Sequence, residues 1–334
     1  MRKRLESLLK AVGDADRILI LPHNDPDPDA IASAVALRDL LAHTLGIEGQ
    51  IAYKGFIGRA ENRALVRYLG RPLRRLTSAD LDPSVPIALV DTQPGTGNNA
   101  LPPDRRATII LDHHPECDAA NDAEFADLRS EMGATSTMLT QYLRAAKVDL
   151  TPSLSTALFY GIKTDTMGLS RGAGKEDRKT YFYLQRRIDI DALVQIERAL
   201  VPVEYFQSLV ATLQAARMYD RVLISYLGWM NYPGLAAEMA DLLLRLNGIR
   251  WVVCLGAYKD ELILSVRTED QRRSAGRLAQ EVVGDLGTAG GHGVMAGGQI
   301  PLQERDPERL ALQLGWQVLK HLNIESTVEG QPIV

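Results

Sequence analysis

Cysteine is scarce in this chain: there are two in 334 residues, Cys117 and Cys254. Two thiols so far apart make no disulfide framework, and their scarcity suits a reducing compartment. Long apolar runs are missing as well. No stretch of about 18 apolar residues occurs, so no membrane partner is expected. The N-terminal segment MRKRLESLLKAVGDADR is charged and amphipathic and lacks an apolar core ending at a small-residue cleavage site. A secretory signal is therefore not expected, and a cytoplasmic location is the default. A basic excess is absent too. Thirty-eight Lys and Arg face 42 Asp and Glu, a formal net charge of −4, which excludes the cationic field of a protein that grips long duplex DNA. A small phosphate-bearing substrate needs only a few local cations and stays open. Internal repeats and low-complexity segments are also absent.

What is present reads as two globular domains. Hydrophobic residues make up 46% and charged residues 24%, the range of a soluble globular chain, and 334 residues are enough for two separate cores. RILILP (17–22) is a short continuous apolar run, as in a strand buried on both faces. DAIASAVALRDLLAHTLG (29–46) has helical spacing and ends on Gly46, a plausible helix stop. IEGQIAYKG, VPIALVDT and RATIILDHH read as further strands; AENRALVRYLG, TSTMLTQYLRAAKVDL and TPSLSTALFYGIKTDT read as helices. This alternation predicts an α/β fold with a parallel sheet over residues 1–190. A helical linker broken near Pro202 is expected over 191–220. A smaller α/β domain is expected over 221–334, with its last helix capped by Asp306 and started by Pro307. There, HGVMAGGQIPL reads as a loop leading into a strand.

Acidic residues recur where apolar runs stop. LPHNDPDPDA (21–30) follows the first strand, IALVDT ends on Asp91, TIILDHH ends on Asp112, His113 and His114, and FYGIKTDT delivers Asp165. A single acid-rich turn is usually just solvated. Four such segments at one sheet edge are different, because the carboxyl ends of parallel strands line the edge where ligands bind. Three of the six histidines lie in these stretches. So many carboxylates in one cleft repel each other unless cations neutralise them. Oxygen plus imidazole donors without paired thiolates favour Mn²⁺, with Mg²⁺, Co²⁺ or Zn²⁺ as alternatives. Two such ions can activate water and clamp a phosphoryl group. Cys117, near the two histidines, reads as a small thiol beside a loop rather than a ligand.

The segments HNDPDPDA, LVDT, LDHH and GIKTDT resemble, in order and spacing, the four motifs of the DHH phosphoesterases. AGGHGVMAGG (289–298) is similar to the glycine-rich loop of the associated DHHA1 domain, with Ala289 in place of its first glycine. The arrangement most resembles the short two-domain members, the nanoRNase/pAp-phosphatase type within the RecJ-like superfamily. The resemblance implies an active site in the interdomain cleft, two divalent metal ions and a homodimer. It implies that His23 and Asp27 hold one metal, that Asp29, His113 and Asp165 hold the other, and that Asp91 bridges both. It makes His114 a catalytic group facing the phosphate and Asp112 the carboxylate that orients an imidazole. Asp25 has no counterpart and reads as a solvated turn acid. The departure from the family is TQPGTGNN, a long Gly/Asn-rich loop after Asp91.

Residues 284–298 hold seven glycines and His292. Glycine lets a backbone approach a ligand and offer N–H groups to an anion. With the resemblance, Gly290, Gly291 and His292 are expected to contact substrate. Arg267, at the end of a strand, is expected to do so as well. RRSAG resembles a short Arg-Ser stretch of the family and brings in Arg273, whereas Arg272 reads as an exposed arginine at a helix start. The expected substrates are short single-stranded oligoribonucleotides, linear or cyclic dinucleotides, or 3′-phosphoadenosine 5′-phosphate. The competing readings are a family II inorganic pyrophosphatase, against which Gly290, Gly291 and His292 count, and a nucleotide sensor without turnover.

Overall fold

Helix α1 (Arg2–Val12) buries Leu5, Leu8 and Val12 and leads into β1 (Arg17–Pro22), in which every residue but Arg17 is buried. A computed structural model of the chain describes residues 1–270, 272–325 and 327–334, with the side chains of Ala119, Asn121 and His292 left outside the description. Two compact units divide it, Met1–Ala199 and Leu200–Val334.

In the first unit, β1 is followed by α2 (Pro28–Leu45), and the local sequence fixes both ends of that helix. The Asp27 carboxylate accepts the Ala30 N–H at 3.0 Å, and Pro28 fills the first helical position, where a missing N–H has no consequence. Gly46 closes it at φ 70°, with its N–H on the Ala42 carbonyl. From Pro28 to Leu37 every residue is buried, because α2 lies against the sheet on one side and helices on the other. Each apolar side chain such as Ile31 or Leu37 contributes about 1.5–3 kcal/mol relative to exposure. The first turn of α2, with Asp27 and Asp29, therefore stands on a rigid base.

The remaining elements of this unit are β2 (Glu48–Tyr53), α3 (Ala60–Tyr68), β3 (Leu73–Arg75), β4 (Ile87–Val90), β5 (Ile109–Asp112), β6 (Phe125–Leu128), α4 (Thr135–Ala145), α5 (Pro152–Asp165), α6 (Lys175–Gln185) and α7 (Ile190–Glu197). The sheet runs β3-β2-β1-β4-β5-β6, with every pair parallel. The chain moves outward from β1 to β3, then returns to place β4 on the other side of β1. That reversal opens a crevice between the ends of β1 and β4, the position where open parallel sheets bind ligands.

The second unit contains α8 (Val203–Ala215), β7 (Arg217–Tyr219), β8 (Val222–Trp229), α9 (Leu235–Leu243), β9 (Trp251–Tyr258), β10 (Glu261–Thr268), α10 (Ala275–Val283), β11 (Thr288–His292), β12 (Met295–Pro301), α11 (Pro307–His321) and β13 (Gln331–Pro332). Its mixed sheet has the order β11-β12-β10-β9-β8-β7-β13. One sheet face packs Leu223, Val252, Cys254 and Ile263 with Met239 and Leu243 of α9. The other packs Val253, Leu264 and Val266 with Leu278 and Val282 of α10 and Leu314 of α11.

Two details differ from the sequence reading. The helical stretch expected over 191–220 is divided between the units, with α7 in the first and α8 and β7 in the second. The glycine-rich segment is a strand pair rather than a loop, with Gly290 opposite Gly297 and Gly291 opposite Ala296. A Cβ on Gly276 of α10 would lie 2.0 Å from the Gly291 carbonyl oxygen, so part of the glycine content serves close helix–strand packing. Among the described residues, no helix is long and apolar enough to cross a membrane.

Candidate metal centre

Three sheet strands and two helices deliver the acids and imidazoles of the first unit. His23 follows the last residue of β1, Asp27 caps α2, and Asp29 lies in that helix's first turn. Asp91 follows β4 directly and takes a left-handed conformation, φ 61°, which a short polar side chain tolerates better than most. Asp112 ends β5, and His113 and His114 come next. Asp165 ends helix α5, so this fourth segment reaches the sheet edge from a helix rather than a strand.

The side chains converge in three overlapping groups, one of them joining Asp91 to His113 and His114. One ligand atom each from His23, Asp27 and Asp91 lie within 4.8 Å of one another, and so do one each from Asp29, His113 and Asp165. Asp91 faces both of these groups. Its Oδ2 is 3.7 Å from His23 Nε2, while its Oδ1 is 3.5 Å from His113 Nε2 and 4.0 Å from His114 Nδ1. His23 Nε2 is also 3.7 Å from Asp27 Oδ1, and His113 Nε2 is 3.3 Å from Asp165 Oδ2.

Hydrogen bonds behind these atoms hold them in place. His23 Nδ1 donates to the Asn24 carbonyl at 2.7 Å and His113 Nδ1 to the Met132 carbonyl at 3.2 Å. A carbonyl only accepts, so each ring carries a proton on Nδ1; whenever the ring is neutral, its Nε2 lone pair faces the acids. His113 Nε2 is buried and makes no hydrogen bond of its own. A buried lone pair among carboxylates, without a donor, is what a divalent cation satisfies, so this donor set fits such ions.

The acids are anchored by groups that were not evident in the sequence. Asp29 accepts the Thr135 N–H at 2.6 Å and the Ser136 N–H at 2.8 Å, buried donors in the first turn of α4, where an N–H has no partner within the helix. Thr135 Oγ1 donates to Asp91 Oδ1 at 2.7 Å. A Cβ on Gly161 of α5 would lie 2.6 Å from Ser136 Oγ and 3.0 Å from Asp29 Cα, so only glycine lets α5 pass this close. The small polar run GATST was the available signal for the α4 contribution. Asp25 is also more than a solvated acid. Its N–H reaches the Lys54 carbonyl and its Oδ1 accepts from Phe56, clamping the turn after β1 to the loop after β2.

The charge balance is strained in the way that cations relieve. Burial, then repulsion from Asp91 and Asp165, pushes the Asp29 carboxyl well above its usual range. Burial, then the charge of Asp27, pushes Asp165 up to about 6. Asp91 is raised chiefly by burial, against the opposing pull of His113. Burial works to lower His23, but the nearby carboxylates of Asp27 and Asp91 outweigh it and raise this imidazole to about 10. At Asp27 burial is outweighed by the pull of His23 and the Ala30 N–H, which lower the carboxyl to about 2.

His114 is held differently. Its Nδ1 meets Asp112 Oδ1 at 2.7 Å, and its N–H reaches the same oxygen at 3.2 Å. An open groove of about 710 Å³ lies elsewhere, against Val12, Pro83–Pro86 and Arg105–Thr108, and has no histidine in its lining.

In the second unit, Arg267 on β10 stands opposite Met295 on β12, which stands opposite His292 on β11. The Arg267 guanidinium is buried and pairs with Asp241 of α9, with further bonds to Ser265 Oγ at 3.0 Å and the Ala296 carbonyl at 3.4 Å. Gly290 and Gly291 are both exposed; a Cβ on Gly290 would meet nothing within 4 Å, whereas one on Gly291, at φ 148°, would lie 2.4 Å from the Met295 carbonyl oxygen. The His292 side chain lies outside the described residues. Arg272 and Arg273 lie between β10 and α10; both are exposed, and Arg272 is near Asp270.

Residues 17–162 match the DHH family, N-terminal domain. This segment is a DHH domain. Members of the family are metal-dependent hydrolases of phosphoester or pyrophosphate bonds. The chain is 37% identical over 287 residues to the uncharacterized protein MJ1633 of Methanocaldococcus jannaschii, a match covering 85% of this chain but 58% of that protein. The chain thus spans little more than half the length of that relative. Its fold is similar to that of an exopolyphosphatase-related protein from Bacteroides fragilis (TM-score 0.75, 16% identity, 96% of each chain covered). It also resembles exonuclease RecJ bound to manganese (TM-score 0.50, 14% identity, 96% of this chain and 94% of that one). The DHH domain and the mixed-sheet unit together account for the α/β architecture.

Proposed function

We propose that this chain is a two-metal phosphoesterase acting on short nucleotide substrates: oligoribonucleotides of a few residues, linear or cyclic dinucleotides, or 3′-phosphoadenosine 5′-phosphate. The observation that carries the reading is the division of Asp91, one oxygen toward His23 and the other toward His113. A carboxylate so placed suits a bridge between two cations. His23 and Asp27 would hold one ion, and Asp29, His113 and Asp165 the other, with Mn²⁺ favoured by the mixed oxygen and imidazole donors. When bound, the pair supplies water activation and charge neutralisation for displacement at phosphorus.

The chain's own groups would do the rest. Thr135 and the α4 N-terminus keep Asp91 and Asp29 from turning away. Asp112 holds the Nδ1 side of His114, leaving Nε2 to donate to a phosphoryl oxygen as negative charge develops. The second unit, with Gly290, Gly291, His292, Arg267 and Arg273, is assigned the nucleotide. The aligned backbone of β10, β12 and β11 supports that assignment through its open glycine surface at Gly290.

The experiment is product analysis on 5′-labelled RNA of about two to ten nucleotides, beside cyclic dinucleotides and pyrophosphate, with metal-stripped and reconstituted protein. Mn²⁺ should restore turnover better than Ca²⁺, which prefers more oxygen ligands at longer distance. Hydrolysis of pyrophosphate alone would transfer the chain to the pyrophosphatase reading. Binding without turnover would make it a sensor, and full turnover after stripping would remove the metal argument.

A further inference from the structure

The loop after Asp91 has no part in the site as assembled so far, yet Gln93 within it is only 1% exposed. Its amide is fully engaged. Nε2 donates to Asp112 Oδ2 at 2.7 Å and to the Pro115 carbonyl at 3.1 Å, and lies 3.4 Å from the His114 carbonyl. Oε1 accepts the Cys117 N–H at 2.7 Å. This set of partners permits one amide orientation. Carboxylates and carbonyls only accept and a backbone N–H only donates, so a flipped amide would lose all of these bonds.

Asp112 is equally buried and equally committed. Its Oδ2 belongs to Gln93, and its Oδ1 to the N–H and ring Nδ1 of His114. We propose that Gln93 is a positioning residue that sets the His114 ring through Asp112. An unpinned carboxylate can rotate about its Cβ–Cγ bond. With Oδ2 held by Gln93, Oδ1 remains on the Nδ1 side of the ring, which keeps that nitrogen protonated and directs Nε2 to the opposite side. Gln93 also grips the backbone at Pro115 and Cys117, so the turn carrying His114 is held both before and after the histidine. This assignment rests on the reading of His114 as the group that faces the phosphate.

The test has two readouts. In metal-free protein labelled with nitrogen-15 histidine, the His114 Nδ1–H should give an exchange-protected signal, identified by its loss in His114→Gln. Gln93→Leu and Gln93→Glu should each lose that signal. On whichever nucleotide the wild type hydrolyses, each should lower kcat by about tenfold or more while KM stays within about threefold. The double variant Gln93→Glu/Asp112→Asn re-forms the bond with donor and acceptor exchanged. It should recover kcat by at least about threefold over Gln93→Glu and regain the ring signal, which also guards against a single variant that fails to fold. A Gln93→Leu protein that melts earlier but keeps both signal and kcat would overturn the proposal, as would a double variant no better than the single. If the wild type turns over none of the substrates, the proposed function fails separately, and the ring signal still decides the role of Gln93.

Discussion

His113 Nε2 stands 3.3 Å from Asp165 Oδ2, although one residue follows a strand and the other ends a helix more than fifty residues later. With its other nitrogen donating to the Met132 carbonyl, the neutral imidazole offers this carboxylate a lone pair; burial favours that neutral form, but Asp165, Asp91 and Asp29 outweigh it and raise the ring well above its usual range. Two electron-rich groups held this way repel each other unless a cation lies between them or one takes up a proton.

Asp91→Asn should leave the protein folded and lower hydrolysis by more than tenfold, about 1.4 kcal/mol of barrier. Asparagine accepts the left-handed backbone at φ 61° as readily as aspartate does, so the loss would be one of charge and not of conformation. Thermal melting should show equal or greater stability without metal, since one repelling acid is gone. Activity above a tenth of wild type would remove the bridging role.

Metal and protons should compete. In the metal-free protein His23 is raised to about 10, so the fold holds a proton that an unfolded chain releases near 6.5; the resulting stability is complete below about 6.5 and lost as pH rises through about 10. Asp165, raised to about 6, also retains a proton longer in the fold, so its effect is lost between about 3.8 and 6. Both signs agree: metal-free protein should melt lower as pH rises across these windows. Mn²⁺ needs the deprotonated ligands, so its affinity should rise over the same range, and binding near pH 7 should release protons. Calorimetry in buffers of different ionisation heat measures that release, and none detected would count against His23 as a ligand.

Gly161→Ala should act on the site from behind. The new methyl would lie 2.6 Å from Ser136 Oγ and 3.1 Å from Asp29 Oδ1, and overpacking of this kind costs about 1–3 kcal/mol. Melting temperature should fall and the stoichiometry of tightly bound Mn²⁺ should drop toward one, because Asp29 serves the second group of donors. An unchanged stoichiometry would mean that α5 can shift without moving Asp29.

The second unit should matter only to nucleotides. Arg267→Ala or His292→Ala should lower the ratio of kcat/KM on a dinucleotide to that on bis(p-nitrophenyl) phosphate by at least about tenfold, the scale of a lost charge-assisted contact. The small diester has no nucleotide to hold and should be affected little. Equal losses on both substrates would move these residues into the chemistry; no loss would leave Arg267 as the partner of Asp241 alone.

What the sequence determined by itself was local. The buried run Ile18–Leu21, the Asp27 cap with Pro28, the stop at Gly46 and the acids ending each apolar stretch all depend on neighbours a few residues away, and they are legible for that reason. The family resemblance added the assignment of those acids to one site. The tertiary structure alone decided which atoms meet. The return of β4 to the side of β1 sets His23 against Asp91, and the placement of α4 against α2 gives Asp29 its two backbone donors. The glycine-rich segment was unreadable as a hairpin because glycines carry no alternating pattern of burial; its strands exist through backbone pairing with β10 and between themselves. Gln93 was hidden for a related reason. An amide in a polar loop looks solvated until the fold brings a carboxylate, a carbonyl and an N–H to three of its four bonding positions at once.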